Sequence, residues 1–456
     1  MSLPNGPRNP NFVLTLQWIA KPLEVLEELD QKYGDPFAIA GSNFATVFFS
    51  NPQAIQELLT ANPDLFDCGL GNKTLQPILG DHSLILLDNE RHQRQRRLLT
   101  PPFHGERLRT YGKTICDITE HVMSQWTVGE SFFVRSYMQE ISLRVILHTV
   151  FGLHEGQRFE QLRHLLSSLL DSIGSPLSSS LLYFQKLQRD LGPWSPWGRF
   201  LRLRQQIDQL LYAEIQQRRE QFNSSGTDIL SLLLAARDEL GQPMTDVELR
   251  DELMTMLFAG HETTASALAW ALYWIEQLPE VRDKLLKELK SLDDSDPSAA
   301  AKLPYLAAVC SETLRIYPIA ITAFARVLKS PFQLMGYQFE PGTQLVPCIY
   351  LLHQRPDLFP EPKRFKPERF LERQFSPYEY LPFGGSNRRC IGMAFALFEM
   401  KLVLATILRR NQLALTNRRQ IKPVRRGVTA APPSWMQMTV VSQQKSAPTS
   451  SAALIR

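Results

Sequence analysis

Phe383-Gly-Gly-Ser-Asn-Arg-Arg-Cys390-Ile-Gly392 is the stretch on which the reading of this chain turns. Glycines on both sides of a lone cysteine let the backbone turn tightly and approach a partner closely. Arg388 and Arg389 favour a thiolate at Cys390 over a thiol. An apolar helical run, Met393 to Leu408, follows at once, so the cysteine sits just before a helix N-terminus whose positive end also favours an anion. Taken alone, a single cysteine in a glycine-rich loop is more often inert than a ligand, so its meaning depends on the rest of the chain.

Three other features stand outside that loop. A long amphipathic helix is predicted from Thr245 to Leu278, opened by a capping box of Thr245 and Glu248. At 1.5 Å per residue it runs about 50 Å. Its middle reads Ala259-Gly-His-Glu-Thr-Thr264, and such residues can open the backbone ladder to a side chain, water or ligand. A packing glycine with solvated polar neighbours is an equal alternative. Glu312-Thr-Leu-Arg315 puts a carboxylate and a guanidinium on one helical face, ended by Pro318. By itself that pair reads as a surface contact of small value. His92 and Arg96 share one helical face, with Arg91 and Arg94 pointing away. Such a helix can hold an anionic group inside and meet an acidic partner outside, although a solvated basic helix is the plainer reading.

The 456 residues are 44% apolar and 21% charged, which excludes wholesale disorder, collagen and coiled coil. Fifty basic against 46 acidic residues leave a net charge of +4, too little for a nucleic-acid binder without basic residues massed on one face. Cys68, Cys116, Cys310, Cys348 and Cys390 are odd in number and never form CxxC, which fits a reducing compartment without a disulfide framework. Phe12 to Ile19 is too short for a membrane span and is broken by Thr15 and Gln17, and the start has no signal-peptide pattern. A soluble, cytoplasmic protein without a transmembrane anchor is expected.

Helical spacing covers Pro22 to Lys32 and a segment from Pro52 through Leu59, and it dominates from about 91 to 290. A β-hairpin is predicted from Phe37–Ala40 and Thr46–Phe49, around Gly41-Ser42-Asn43. Strand-like runs return at Phe332–Phe339, Gln344–Ile349 and Met436–Val441. The fold class is mainly α with small β-sheets built from distant segments. One domain is expected over residues 1–441, followed by a flexible, low-complexity tail over 442–456.

With these features in this order, the chain resembles the cytochrome P-450 superfamily, the haem-thiolate monooxygenases, over residues 4–441. The family's FxxGxRxCxG signature falls on Phe383, Ser386, Arg388, Cys390 and Gly392, with Ser386 where glycine is usual and Gly384-Gly385 positioned to compensate. The acid–threonine helix pattern matches Ala259, Gly260, Glu262 and Thr263. The ExxR pattern matches Glu312 and Arg315, and the PERF stretch supplies Arg369. His92 replaces the tryptophan of a tryptophan-x-x-x-arginine pattern whose arginine is Arg96. The resemblance implies a P-450 fold with haem b between a long distal helix and a proximal Cys-loop helix. It makes Cys390 the axial thiolate of the iron, and His92, Arg96, Arg326 and Arg388 contacts of the propionates, with Ala259, Gly260, Phe383 and Gly392 also at the cofactor. Glu312, Arg315 and Arg369 become a structural ion network. A thiolate trans to oxygen favours O–O cleavage, which needs protons. The resemblance implies that Glu262 relays them from solvent and that Thr263 holds a water, and Gly260 is expected to let the helix open for O2.

The expected substrate pocket comprises Leu75, Met254, Leu257, Phe258, Ala259, Ile319, Ile321, Thr322, Val428 and Thr429, mostly apolar as an oily substrate requires. Cys68–Leu79 and Leu181–Phe184 correspond to substrate-contact regions of the family, and Pro193–Trp197 is either an apolar lip or a packed loop. The chain most resembles bacterial, particularly cyanobacterial, members related to fatty-acid hydroxylases. A long-chain fatty acid is the first expectation for the substrate and a terpenoid the second. No flavin or iron–sulfur segment is present, so a separate ferredoxin or flavodoxin with its reductase is expected as electron donor. It would meet a basic patch of Arg91, Arg94, Arg97, Arg389 and Lys401 on a monomer. Two alternative functions stand beside this one. The first, a haem-thiolate peroxygenase or hydroperoxide-rearranging enzyme, is opposed by the Glu262–Thr263 pair. The second, a non-catalytic haem sensor or carrier, needs the cysteine loop but not the acid–threonine helix.

Overall fold

The computed structural model describes residues 3–7, 12–41, 45–153, 155–174, 188–221, 226–293 and 296–444. Helix α1 (Pro22–Tyr33) starts with proline at its first position, where the missing N–H costs nothing. The predicted hairpin follows as β1 (Phe37–Ala40) and β2 (Ala45–Phe49), paired Phe37↔Phe48 to Ala40↔Ala45. Strand β2 then pairs in parallel with β8 (Gln344–Pro347), Thr46↔Gln344 to Phe49↔Pro347, which joins segments about 300 residues apart. Two more strands, β3 (Phe66–Asp67) and β5 (Arg326–Leu328), complete a sheet of order β1-β2-β8-β5-β3. The single run expected over 332–339 is a hairpin of β6 (Phe332–Leu334) and β7 (Tyr337–Phe339). Met335 and Gly336, at φ 51° and 77°, form its turn.

The helices that build the centre are α2 (Asn89–Leu99), α3 (Gly112–Met123), α4 (Val134–Phe151), α5 (Gln157–Gly174), α6 (Pro196–Glu220), α7 (Asp246–Gln277), α8 (Pro279–Leu289), α9 (Pro304–Ile316) and α10 (Met393–Arg410). The capping box forms at α7: the Thr245 hydroxyl accepts from the Glu248 N–H at 3.2 Å, and the Glu248 carboxylate accepts from the Thr245 N–H at 2.8 Å. From Ala265 to Glu276 every residue of α7 is buried, as required of a helix apolar around most of its circumference and enclosed by others. It packs against α4, α6, α9 and α10. A second apolar cluster lies under the five-stranded sheet, and a third joins α1 to β8.

Near the chain end, β10 (Val424–Arg426) pairs with β11 (Thr429–Ala431). Strand β12 (Gln437–Gln443) lies between β4 (Ser131–Phe133) and β9 (Asn411–Leu415). It therefore carries pairing to Gln443, two residues beyond the domain boundary expected at 441.

Several carboxyls are closed inside this core, Glu252 and Glu399 among them. Burial pushes Glu252 and Glu399 up to about 8, so the native state holds them protonated near neutrality. In the unfolded chain they ionise in the ordinary carboxylate range. Their stabilising effect is therefore complete below about pH 4.5 and is lost as pH rises to about 8, at up to about 1.4 kcal/mol per pH unit for each group. Glu399→Gln should flatten that fall in a urea-midpoint series from pH 5 to 9. An unaltered slope would rule Glu399 out as its source.

Candidate functional site

The 383–392 loop is folded back on itself. The Cys390 N–H donates to the Phe383 carbonyl at 2.9 Å, the Gly384 N–H to Leu381 at 3.0 Å, and the Arg389 N–H to Ser386 at 3.2 Å. Two residues take left-handed backbone conformations, Gly384 at φ 66° and Ser386 at φ 58°. A side chain there costs roughly 1–2 kcal/mol, so Gly384-Gly385 do not relieve the loop at the position where this chain carries serine. Ser386→Gly should raise stability by about 0.5–1 kcal/mol, the relieved strain less the extra freedom of glycine in the unfolded chain. Ser386→Val should lower it, and a thermal midpoint series distinguishes the two.

Cys390 is the one exposed cysteine; the other four are buried and all five are free thiols. Burial pushes Cys310 and Cys348 up to about 12. Protein atoms also crowd Cys390 and raise its thiol, opposed by the Gly392 N–H and the charges of Arg96 and Arg389. Cys390 thus combines crowding by neighbouring protein atoms with an exposed side chain. Arg388 is not one of the cations acting on the sulfur, contrary to expectation. It turns instead to Asp88, and its second nitrogen donates to the Leu84 carbonyl at 3.3 Å. Its Nε–H is buried without a partner.

Around Arg388 stand His92, Arg96 and Arg326, close enough for their charges to interact. Burial first, then Arg388 and Arg96, depress His92 to about 3, so it is neutral near pH 7. Burial also lowers Arg96 and Arg326. Arg326 lies over the Phe66 ring and reaches the Leu58 carbonyl at 3.4 Å. Among the described residues Asp88 is the only carboxylate paired with any of these groups. Two of the three guanidiniums, Arg96 and Arg326, thus have no carboxylate partner among the described residues, which suits an anionic ligand.

On α7, Met256, Gly260 and Thr263 are half-buried and Ala259 is exposed, so these positions, three and four apart, form the accessible stripe of an otherwise enclosed helix. Phe258, beside it, is half-buried. Met254 and Leu257, expected in the pocket, are 1% exposed and turn into the core, as does Leu75. The sequence reading missed Met256, although it stands three, four and seven residues before Ala259, Gly260 and Thr263 on one helical face. The helix does not break here: α7 is continuous, and the Thr263 hydroxyl donates to the Ala259 carbonyl at 2.6 Å. A Cβ at Gly260 would meet Ile146 of α4 at 2.9 Å, so this glycine serves close helix packing.

Glu262 is not open to solvent. Its carboxylate accepts from Gln139 at 2.6 Å, from Arg135 at 3.3 Å and from Arg426 at 2.8 Å. Arg426, on β10, also pairs with Asp171 of α5 at 2.7 Å. A polar cavity lined by Arg135, Gln139, Asp171 and His261 adjoins this clamp. None of Gln139, Arg135 and Arg426 carries a local signal in the sequence that would link it to Glu262.

The remaining pocket segments meet through backbone. The Ala430 N–H donates to the Ile319 carbonyl at 2.8 Å, which fixes 428–430 beside 319–324. Thr322 and Thr429 are half-buried, and Val428 and Phe324 are exposed. Ile319 is buried in the main core, and Ile321 packs against the α1 cluster. Leu181–Phe184 lies outside the described residues. In 193–197 both readings hold: Trp197 is buried and stacked on Phe200, whereas Trp194 is 85% exposed.

The Glu312–Arg315 pair is no surface contact, since both side chains are 0% exposed. Glu312 accepts from Arg315 at 2.7 and 2.8 Å, from Arg369 at 3.2 Å and from the Lys366 N–H at 2.8 Å. Arg315 also donates to the His353 carbonyl at 2.8 Å. The expected basic patch is partly spent. Arg94 pairs with Asp238 at 2.7 Å and Glu248 at 2.8 Å, Arg97 pairs with Glu239, and Lys401 donates to the Ala301 carbonyl at 2.7 Å. Arg91 and Arg389 stay exposed. No helix of the described residues is long and apolar enough to cross a membrane.

Residues 4–439 match the cytochrome P450 family. The protein named cytochrome P450 135B1 in Mycobacterium tuberculosis is 37% identical over 454 residues, covering 99% of this chain and 94% of the relative. Cytochrome P450 138 of Mycobacterium bovis is 32% identical over 432 residues, 94% of each chain. Among solved structures, retinoic acid-bound cyanobacterial CYP120A1 superposes at a TM-score of 0.81 and 25% identity, over 96% of this chain and 99% of that one. The haem domain of cytochrome P450DA shares the fold at a TM-score of 0.84. On the family match and these relatives, the chain is a member of the cytochrome P450 family, a monooxygenase.

Proposed function

We propose that haem b sits between the accessible stripe of α7 and the 383–392 loop, with Cys390 as its thiolate ligand, and that the enzyme hydroxylates a long-chain fatty acid. The observation that carries the cofactor placement is the pairing of an accessible cysteine with three guanidiniums, one of them bearing an orphaned buried N–H. Arg96, Arg326 and Arg388 would hold the two propionates, with neutral His92 as a hydrogen-bonding partner. Bound there, the haem activates O2 so that one oxygen atom enters the substrate. Thr263 and Glu262 supply protons on the distal side. The threonine hydroxyl holds a water once it leaves the Ala259 carbonyl, and Glu262 keeps acceptor capacity on Oε2, where Gln139 alone donates.

Glu262→Gln preserves the shape of that clamp but removes the ionisable oxygen. Product formation should fall about 100-fold, within the range of lost general acid catalysis, while substrate affinity stays the same. Single-turnover product analysis beside a binding titration measures both, and retained turnover would remove Glu262 from the relay.

Phe258, Ala259, Phe324 and Val428 present an apolar surface, which supports a long hydrocarbon substrate. The ligand of CYP120A1, an isoprenoid acid, supports a terpenoid as the second reading. Spin-state titrations with C12–C18 fatty acids and with retinoic acid discriminate the two. No shift with any fatty acid would sink the first reading, and a shift with retinoic acid alone would establish the second. Electrons would come from a ferredoxin or flavodoxin meeting Arg91 and Arg389, the exposed members of the basic patch that have no carboxylate partner among the described residues. Reversing both charges should slow reduction at low salt and much less at high salt. Equal rates at low salt would exclude that face.

A further inference from the structure

We propose that Asp88 is a positioning residue for the haem, which aims Arg388 at the propionates and offsets one of the three guanidinium charges. This deepens the haem reading above and rests on it.

Asp88 stands at the N-cap of α2, where an aspartate ordinarily accepts from the first turn of its own helix, a bond worth about 1 kcal/mol. Its side chain makes no such bond. One carboxylate oxygen accepts from the Gly69 N–H at 2.7 Å, and the other from the Cys68 N–H at 3.1 Å and from Arg388, 300 positions away. Gly69 is what permits this approach: a Cβ there would lie 2.1 Å from the Leu86 carbonyl oxygen and 2.8 Å from the Asp88 carboxylate.

Arg388 is thereby held by Asp88 on one nitrogen and by the Leu84 carbonyl on another, with Nε–H left over and buried. A guanidinium is a rigid planar fork, so anchoring two of its nitrogens decides where the third N–H points. The charges agree with this role. With Asp88 ionised, the three guanidiniums leave two positive charges, which match two propionates. Without it, one positive charge stays uncompensated beside the haem, and that charge favours the state carrying the extra electron.

The test uses holoprotein of wild type, Asp88→Asn and Asp88→Glu, measuring the midpoint potential and the rate of haem transfer to apomyoglobin. Asp88→Asn should shift the ferric–ferrous equilibrium about tenfold toward ferrous, ~59 mV upward for one electron, and release haem about tenfold faster. Asp88→Glu should return the potential to within twofold in that equilibrium, with an intermediate haem-release rate. A purely structural role would quicken haem release without moving the potential, and that outcome overturns the proposal, as does an asparagine variant identical to wild type. If the asparagine variant retains no haem, the glutamate variant decides: haem retained with a potential near wild type supports the carboxylate's role, and haem lost as completely as in the asparagine variant overturns it. A wild-type carbon monoxide complex without a red-shifted Soret band would instead sink the haem reading itself.

Discussion

Glu312→Ala should cost the folded state about 3–5 kcal/mol, the penalty for removing one partner from a buried ion pair. The carboxylate is the single acceptor around which Arg315, Arg369 and the Lys366 N–H converge. Its loss strands two guanidiniums in a site that water does not reach. Arg315 keeps the carbonyls of His353 and Arg364, but carbonyl dipoles do not neutralise a full charge. Against a total stability of about 5–15 kcal/mol, the variant should be largely unfolded or free of haem at 37 °C. Glu312→Gln keeps one acceptor oxygen and should lie between alanine and wild type. Arg315→Lys should also destabilise, because an ammonium cannot reproduce the two parallel bonds at 2.7 and 2.8 Å. Urea midpoints together with haem content per chain measure all three. A loss under 1 kcal/mol for the alanine variant would show that the network does not support the fold.

Cys390→Ala should abolish the red-shifted Soret band of the reduced carbon monoxide complex. Cys310→Ala and Cys348→Ala should retain it. The contrast follows from environment. Burial pushes the Cys310 and Cys348 thiols up to about 12, and neither reaches solvent. Cys390 is accessible and has Arg96, Arg389 and the Gly392 N–H around its sulfur, all favouring the thiolate against crowding. A metal binds the thiolate and releases the proton, so only Cys390 is poised to ligate. A wild-type spectrum typical of histidine-ligated haem would defeat the assignment. An alanine variant with an unchanged band would move the ligand elsewhere.

Features confined to one turn or one loop were legible in the sequence. The capping box of Thr245 and Glu248 closes within four residues, the 383–392 loop within ten, and the Glu312–Arg315 pair within one helical turn. Periodicity likewise placed α7 and the first hairpin, because burying one face imposes a repeat of 3.6 or 2 on the residues themselves. It did not separate Met254 and Leu257, expected in the pocket but packed in the core, from the accessible stripe, since an apolar residue of an enclosed helix has core on several sides and hydrophobicity alone does not say which side is open.

The sequence by itself determined the family and the mainly helical class, since each rests on residue types at short, fixed spacings. Tertiary structure alone decided that Glu312 and Arg315 are wholly buried rather than a surface pair, that Glu262 is closed by Arg135, Gln139 and Arg426, and that Arg388 serves Asp88 instead of the thiolate. The energy of an ion pair depends on the dielectric around it and on what else competes for its hydrogen bonds. Both are set by segments hundreds of residues apart, which meet only when the chain has folded.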